Sequence, residues 1–332
     1  MNRIQYLLHC VKHLDFQRFR DSIRDTANVS HRPSALIVGD MIWCGLRYQA
    51  GYNDYREFDF WNLSGRQRRT YNTRGKNNSI VRRYNSKEKM AAIEDKGNFY
   101  AAYSEFLHRQ WLDLRRSTQE DFLRFVQQQP TFIAKPPNGY GGRGIDKITL
   151  EGSPEELYRS LVENGQMLVE EVIVQHPDLA VLYPHSVNTL RMFTFFDGTE
   201  GHLLQAILKL GNEGKFLDNF SSGGMYTFLD QSGKALYPAV DGENNVFEVH
   251  PMTGQSIIGF QVPFFEEAKE MVCKAAAVTP ELGYIGWDVA ISETGPLIVE
   301  GNEFPGVFEP KGRFLRNDQY GSLTEYRKYM KV

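Results

Sequence analysis

Two apolar runs near the end of this 332-residue chain constrain its folding most: Tyr284–Ile291 and Pro296–Asn302, separated only by Ser292-Glu293-Thr294-Gly295. Short apolar runs joined by such a turn predict paired strands. Asp288 lies inside the first run, and Glu300 and Asn302 end the second. Side chains two apart on a strand share a face. Glu300 and Asn302 therefore point the same way, and Asp288 joins them if the strands pair. Three oxygen ligands so placed suit Mg²⁺, which keeps several waters and takes phosphate oxygens as its remaining ligands. The same residues would also fit a polar hairpin face on which Asn302 merely makes a turn.

Upstream, the pattern mixes helices and hairpins. The spacing of Met90, Ile93, Tyr100, Tyr103 and Leu107 predicts a helix over 86–108. A second helix starts near Ser117, where Ser117-x-x-Glu120 resembles a capping box, and ends at Pro130. Ser153-Pro154-Glu155-Glu156 is a helix start of cap, proline and acids, and that helix ends at Gly165. Pro263–Val278 reads as helical, and Thr131–Pro136, Met167–Val174, Asn188–Phe196 and His202–Leu210 read as strands. These elements predict an α+β fold rather than a doubly wound sheet. Residues 1–85, with the aromatic cluster Tyr52, Tyr55, Phe58, Phe60 and Trp61, read as a helical and irregular region. Residues 311–332 read as a tail.

Net charge is −3 and the pI about 6.3. No global positive field recruits nucleic acid, and the Arg-rich stretch Arg66–Arg83 reads first as a solvated or partner-facing patch. Cys10, Cys44 and Cys273 form neither a disulfide framework nor a zinc spacing. Met1–Leu14 mixes charges and histidines among its apolar residues, unlike a signal peptide. Ala35–Leu46 is interrupted by Asp40 and too short to span a bilayer. The expectation is a cytoplasmic protein without membrane insertion, of undetermined oligomeric state.

Three further groups can carry chemistry. The loop Lys135-Pro136-Pro137-Asn138-Gly139-Tyr140-Gly141-Gly142-Arg143-Gly144 joins two apolar segments. Glycines let backbone N–H groups close on phosphate oxygens, and Lys135 would add a point charge. It is neither a Walker loop nor a dinucleotide fingerprint, and a plain Gly-rich hairpin is the commoner explanation. Leu168-Val169-Glu170-Glu171-Val172-Ile173 would present backbone groups to adenine and an acid to ribose; an ordinary acid pair at a strand end explains it as well. Lys96, Arg191 and Lys209 complete the basic set. Arg191 lies among Leu190, Met192 and Phe193, where a charge needs an anion or a partner.

In this order the pieces resemble the ATP-grasp superfamily, and within it the sugar-transfer-associated branch. The stretches that carry the resemblance are Ile93–Lys96, Phe132–Pro136, Gly141–Gly144, Val169–Glu171, Ser186–Arg191, Asp218–Gly224, His250–Gly254, Gly286–Ala290 and Val299–Asn302. It covers about 45–310, including Arg56–Ser64. It implies two α+β lobes sandwiching ATP within residues 86–310, a nucleotide lobe at about 125–175 and a metal and substrate lobe at about 186–310. It further implies that Lys96, Lys135, Gly141 and Gly142 hold ATP phosphates, that Glu170 and Val172 line the adenine edge, and that Glu171 meets ribose. Asp288, Glu300 and Asn302 would hold Mg²⁺, and Arg191 and Lys209 would stabilise the transferred phosphoryl group. Lys209 stands where an arginine is usual, keeping the charge but losing the fork. Asn188, Asn219, Gly223, Gly224 and His250 would meet the substrate.

The activity so implied is carboxylate–amine ligation through an acyl phosphate, with ATP and Mg²⁺, in polysaccharide or capsule biosynthesis. The reactants would be an amino acid, a uronic acid, or an amino sugar or sugar nucleotide. Transfer of phosphate to a hydroxyl, and a non-catalytic role in a glycan-assembly complex, are the alternatives.

Overall fold

The computed structural model describes residues 15–139, 144–214, 218 and 223–332. The chain divides into two compact units, residues 1–85 with 304–332, and residues 86–303.

The first unit is helical: α1 (Phe16–Ser30), α2 (Ser34–Tyr48), α3 (Tyr52–Glu57), α4 (Gly65–Arg68), α5 (Arg74–Tyr84) and, from the C-terminal segment, a helix over Leu323–Tyr329. Its aromatic cluster forms the core, with Tyr55, Phe58, Phe60 and Tyr71 packed on Ile37, Met41 and Tyr48. Two arginines of the Arg-rich stretch are structural: Arg68 grips Asp40 through two 2.7 Å bonds, and Arg74 reaches Asp54 and Glu57 at 2.7 Å each. Arg66, Arg69, Arg82 and Arg83 are exposed.

The second unit opens with α6 (Lys87–Glu94) and α7 (Lys96–Ala102) where one helix is expected. Asp95 interrupts it at ψ 115°, capping α7 by accepting from the Asn98 N–H and taking both ends of the Arg115 guanidinium. Strand β1 (Trp111–Asp113) precedes α8 (Gln119–Gln128), whose cap is Thr118 with Asp121, one residue on from the expected box. Next come β2 (Thr131–Lys135), β3 (Asp146–Thr149), α9 (Pro154–Glu163, capped by Ser153) and β4 (Leu168–Glu171). These strands form an antiparallel sheet in the order β1-β4-β2-β3. Phe132, Ala134 and Val169 on one face pack on Phe122, Phe125 and Leu161 of α8 and α9. Pleating sends Lys135 and Glu170 to the other face.

After a short helix, α10 (Pro177–Leu182), a second antiparallel sheet is built from β5 (Leu190–Phe196), β6 (Gly201–Leu210), β7 (Met225–Phe228), β8 (Ala239–Asp241), β9 (Val246–Phe247), β10 (Tyr284–Ser292) and β11 (Gly295–Asn302), in the order β11-β10-β5-β6-β7-β8-β9. Helix α11 (Phe265–Ala275) lies in its core cluster with Met192, Leu208, Trp287, Val289 and Ile298. Each such large side chain contributes about 1.5–3 kcal/mol on burial. Arg191, Lys209, Asp288 and Glu300 share the opposite face. The molecule is thus α+β, with two antiparallel sheets in one unit.

Candidate nucleotide and metal site

The hairpin β10–β11 forms as expected, with Asp288 opposite Glu300 and Gly286 opposite Asn302. The register then slips: Val289 faces Ile298, so Val299 is an extra, bulged residue. Without that slip Ile298 and Glu300, two apart, would share a face. The bulge lets Ile298 enter the core while Glu300 stays beside Asp288, as bulges do where a side chain must be re-aimed.

Asp288 also faces Arg191 across β5. Arg191 binds it bidentately, Nε to Oδ1 at 2.6 Å and Nη2 to Oδ2 at 2.9 Å. The charge that sequence reasoning left seeking a partner has this one. Lys209 Nζ lies 3.7 Å from Asp288 and 3.3 Å from Asp218, which accepts from the N–H and hydroxyl of Thr189. Burial works against the Asp288 charge, but Arg191 and Lys209 hold its carboxyl at about 2. Glu300 goes the other way: burial and then the Asp288 charge push its carboxyl up. Asn302 donates from Nδ2 to the Gly286 carbonyl at 3.2 Å.

A second polar cluster lies on the free face of the smaller sheet. Lys135 Nζ donates to Glu170 Oε1 and to the Tyr100 hydroxyl, each at 2.6 Å. That hydroxyl donates in turn to Glu170 Oε2. Arg109 closes the group, with Nε at 3.1 Å and Nη2 at 2.9 Å from Glu170 Oε2. Burial opposes the Glu170 charge, yet Arg109 and Lys135 hold the carboxyl at about 2. Two cations and one anion leave this buried group a net positive charge, suited to a phosphate.

Lys96 begins α7. Its N–H donates to the Pro137 carbonyl at 2.8 Å and its Nζ to the Gly139 carbonyl at 2.7 Å, which ties it to the start of the glycine loop. Burial, and Lys135 against the pull of Glu300, lower its pKa. Gly139 (φ 141°) and Gly144 (φ 73°) hold backbone angles that favour glycine. Gly141 and Gly142 lie outside the described residues, as does Asn219. Glu171, Val172 and Ile173 line a cleft of about 210 Å³ with Ser292, Thr294 and Leu297 of the β10–β11 hairpin.

Asn188 and His250 are fully buried. Asn188 Nδ2 donates to Gln175 Oε1 and the carbonyls of Leu179 and Tyr183 at 2.9–3.0 Å, and its Oδ1 accepts from the Gly211 N–H at 3.2 Å. His250 Nε2 meets the Gly211 carbonyl at 2.9 Å, Nδ1 accepts from the Met252 N–H, and the ring stacks on Tyr183. Burial lowers its pKa, in keeping with a neutral ring. Gly223, at φ 95°, and the buried Gly224 lead into β7.

Sequence reasoning did not assign Tyr100, Arg109 or Asp218. Asp218 precedes Asn219 in one of the stretches that carry the resemblance. Tyr100 was read only as a helix-face aromatic, and nothing around Arg109 signals burial.

Residues 149–312 match the family model for sugar-transfer associated ATP-grasp. The match identifies that segment as an ATP-grasp of this branch, and it contains Glu170, Arg191, Lys209, Asp288, Glu300 and Asn302; Lys96 and Lys135 precede it. Distant likenesses to solved structures include the ATP-grasp ligase PsnB with a minimal precursor, at 16% identity over 67% of this chain and 56% of that one, TM-score 0.40. A carboxyaminoimidazole ribonucleotide synthase from Aspergillus clavatus with ATP shows 12% identity over 64% and 45%, TM-score 0.41. The D-alanine-D-alanine ligase from Coxiella burnetii shows 10% identity over 77% and 61%, TM-score 0.42. This chain thus spans about half to three fifths of the length of these proteins. No curated protein matches it.

Proposed function

We propose that this protein joins a carboxylate to an amine through an acyl phosphate, using ATP and Mg²⁺, in the biosynthesis of a polysaccharide. The observation that carries the reading is the pair of facing carboxylates, Asp288 and Glu300, on a sheet face that also holds Arg191 and Lys209.

The donor set fits Mg²⁺. Asp288, Glu300 and Asn302 offer only hard oxygen ligands, and the mutual repulsion that raises the Glu300 pKa is what a divalent cation relieves. When bound, the ion would neutralise charge on phosphate oxygens. Lys135, held rigid by Glu170 and Tyr100, and Lys96, at the glycine loop, bind phosphates from the smaller sheet. In ligation the substrate carboxylate attacks the γ-phosphorus, ADP departs, and the amine displaces phosphate from the acyl carbon. Arg191 and Lys209 stabilise the charge that develops at each stage, and the protein acts by positioning rather than by a covalent bond.

Glu171 and Val172 serve the ribose and adenine side, while the Glu170 carboxylate is committed to anchoring Lys135. Gly223 and Gly224 frame the acceptor pocket. Asn188 and His250 support that pocket by clamping the N–H and carbonyl of Gly211, since their polar atoms are already engaged. Reactants that suit such a site are an amino acid, a uronic acid or an amino sugar nucleotide.

An ADP-release screen over amino acids paired with sugar nucleotides tests the proposal. The productive pair should yield ADP, free phosphate and an amide, and Asp288→Asn should lower the rate by about 10²–10³-fold with an unchanged circular dichroism spectrum. A phosphorylated hydroxyl product without free phosphate would instead mark a kinase. No heat with millimolar MgATP in calorimetry would mark a non-catalytic role.

A further inference from the structure

The near-neutral total charge conceals a division between the units. Residues 1–85 hold 15 Lys and Arg against 7 Asp and Glu, and residues 304–332 hold 6 against 3, so the first unit carries +11. Residues 86–303 hold 17 against 31, or −14. Within the first unit several acids are consumed internally: Asp40 by Arg68, Asp54 and Glu57 by Arg74, and Asp59 by Arg313. Exposed arginines, among them Arg20, Arg32, Arg66 and Arg69, dominate what remains.

On this basic unit lies an apolar face. Helix α2 buries Ile37, Met41, Cys44 and Tyr48, and its opposite side is apolar too. Leu36 is 66% exposed, Trp43 55%, Ile42 51% and Leu46 36%, and Ala35 and Gly39 are exposed between them. At 3.6 residues per turn these six positions span an arc of about 120°. A helix apolar all round is normally buried on every side, and among the described residues this one is covered on only one. Arg32 precedes the helix and Arg47 lies in its last turn, so the arc has a cation at each end.

We propose that this face docks on an anionic lipid bilayer, with α2 lying in the interface plane. A tryptophan among aliphatic side chains suits the boundary between headgroups and acyl chains. The +11 unit around it supplies the long-range attraction to an acidic leaflet. The same charge opposes pairing of two such faces from two copies of the chain, and an aliphatic arc offers nucleic acid neither stacking platform nor hydrogen bonds. The protein would lie on the membrane without crossing it, since no described helix is long and apolar enough to span one.

Co-sedimentation of the full chain with phosphatidylcholine vesicles, with and without 30% phosphatidylglycerol, tests this. Binding is expected only to the anionic vesicles, weakening with salt. Leu36→Ser with Trp43→Ser should lower affinity about ten-fold or more while circular dichroism stays unchanged. If that pair fails to fold, Trp43→Phe serves: it should still bind, and should lose the quenching of tryptophan fluorescence by brominated lipid that the unaltered chain shows. Failure to sediment with anionic vesicles at low salt overturns the proposal. So does binding that the apolar substitutions leave intact, which would reduce it to charge alone. A dimer in sedimentation velocity that Trp43→Ser dissociates would assign the face to a second copy instead.

Discussion

The guanidinium of Arg109 donates every one of its N–H groups inside the protein. Nη1 reaches the carbonyls of Leu107 (3.1 Å) and Ile298 (2.7 Å), Nη2 the Tyr100 hydroxyl, Glu170 and the Val299 carbonyl (3.4 Å), and Nε Glu170. Ile298 and Val299 are the bulge residues, whose carbonyls the broken ladder leaves in need of donors. One side chain thus supports both the strand that aims Glu300 and the carboxylate that anchors Lys135. Arg109→Met should destabilise the protein by roughly 3–5 kcal/mol, the range for stranding a buried charge, as read by denaturant unfolding. MgATP affinity should fall as well, because Glu170 would then neutralise Lys135 alone. Arg109→Lys should rescue little, since an ammonium lacks the fork; a lysine variant that melts and binds like the original would refute the argument. Glu170 and Asp288 also set an acid limit. Their folded pKa values, about 2, lie below the ordinary carboxyl values of 4.5 and 3.8. The stability they supply is complete above about pH 4.5 and is lost as pH falls toward 2.

Among the elements, the hairpin β10–β11 shows which local signals suffice. The turn and the pairing of the two apolar runs were legible, because strand pairing across a short turn is a local matter. The slip at Val299 was not legible: a bulge is recognised by what surrounds it, here Arg109 and the core that receives Ile298. The break at Asp95 was hidden for a similar reason, since the apolar spacing of 86–108 runs straight through a residue whose arginine partner, Arg115, lies outside that stretch. Gly301 depends on contacts of the same kind. A Cβ there would lie 2.6 Å from the Phe99 ring and 3.2 Å from Trp287, both deep in the core. Gly301→Ala should therefore cost about 1–3 kcal/mol through overpacking and weaken MgATP binding by displacing β11 between Glu300 and Asn302. Unchanged unfolding and unchanged calorimetry would show that the rings give way freely.

At the scale of the molecule, residues 304–332 pack with 1–85, and Glu309 helps hold them. Fully buried, it accepts from the Asn72 N–H at 2.6 Å and from Ser322. Burial raises its pKa to about 7, from an ordinary glutamate value of 4.5. The folded unit therefore binds a proton that the unfolded chain has released, so its stability falls as pH rises from about 4.5 to 7. Glu309→Gln should flatten the pH dependence of melting across that window; an unaltered slope would place the titration elsewhere. This long-range packing was not foreseeable, because no pattern in either segment names the other. The ion-pair partners of Arg191 and Lys135, the bulge, and the segregation of charge between the units were decided in the same way, by tertiary structure that brings distant residues into one low-dielectric setting. By itself the sequence determined what local chemistry dictates: the α+β class, the Ser153 cap, most strands, the carboxylate-bearing hairpin and the ordered motifs of an ATP-grasp. Those features depend on neighbours a few residues apart, and short-range sterics and hydrogen bonding act before any fold exists.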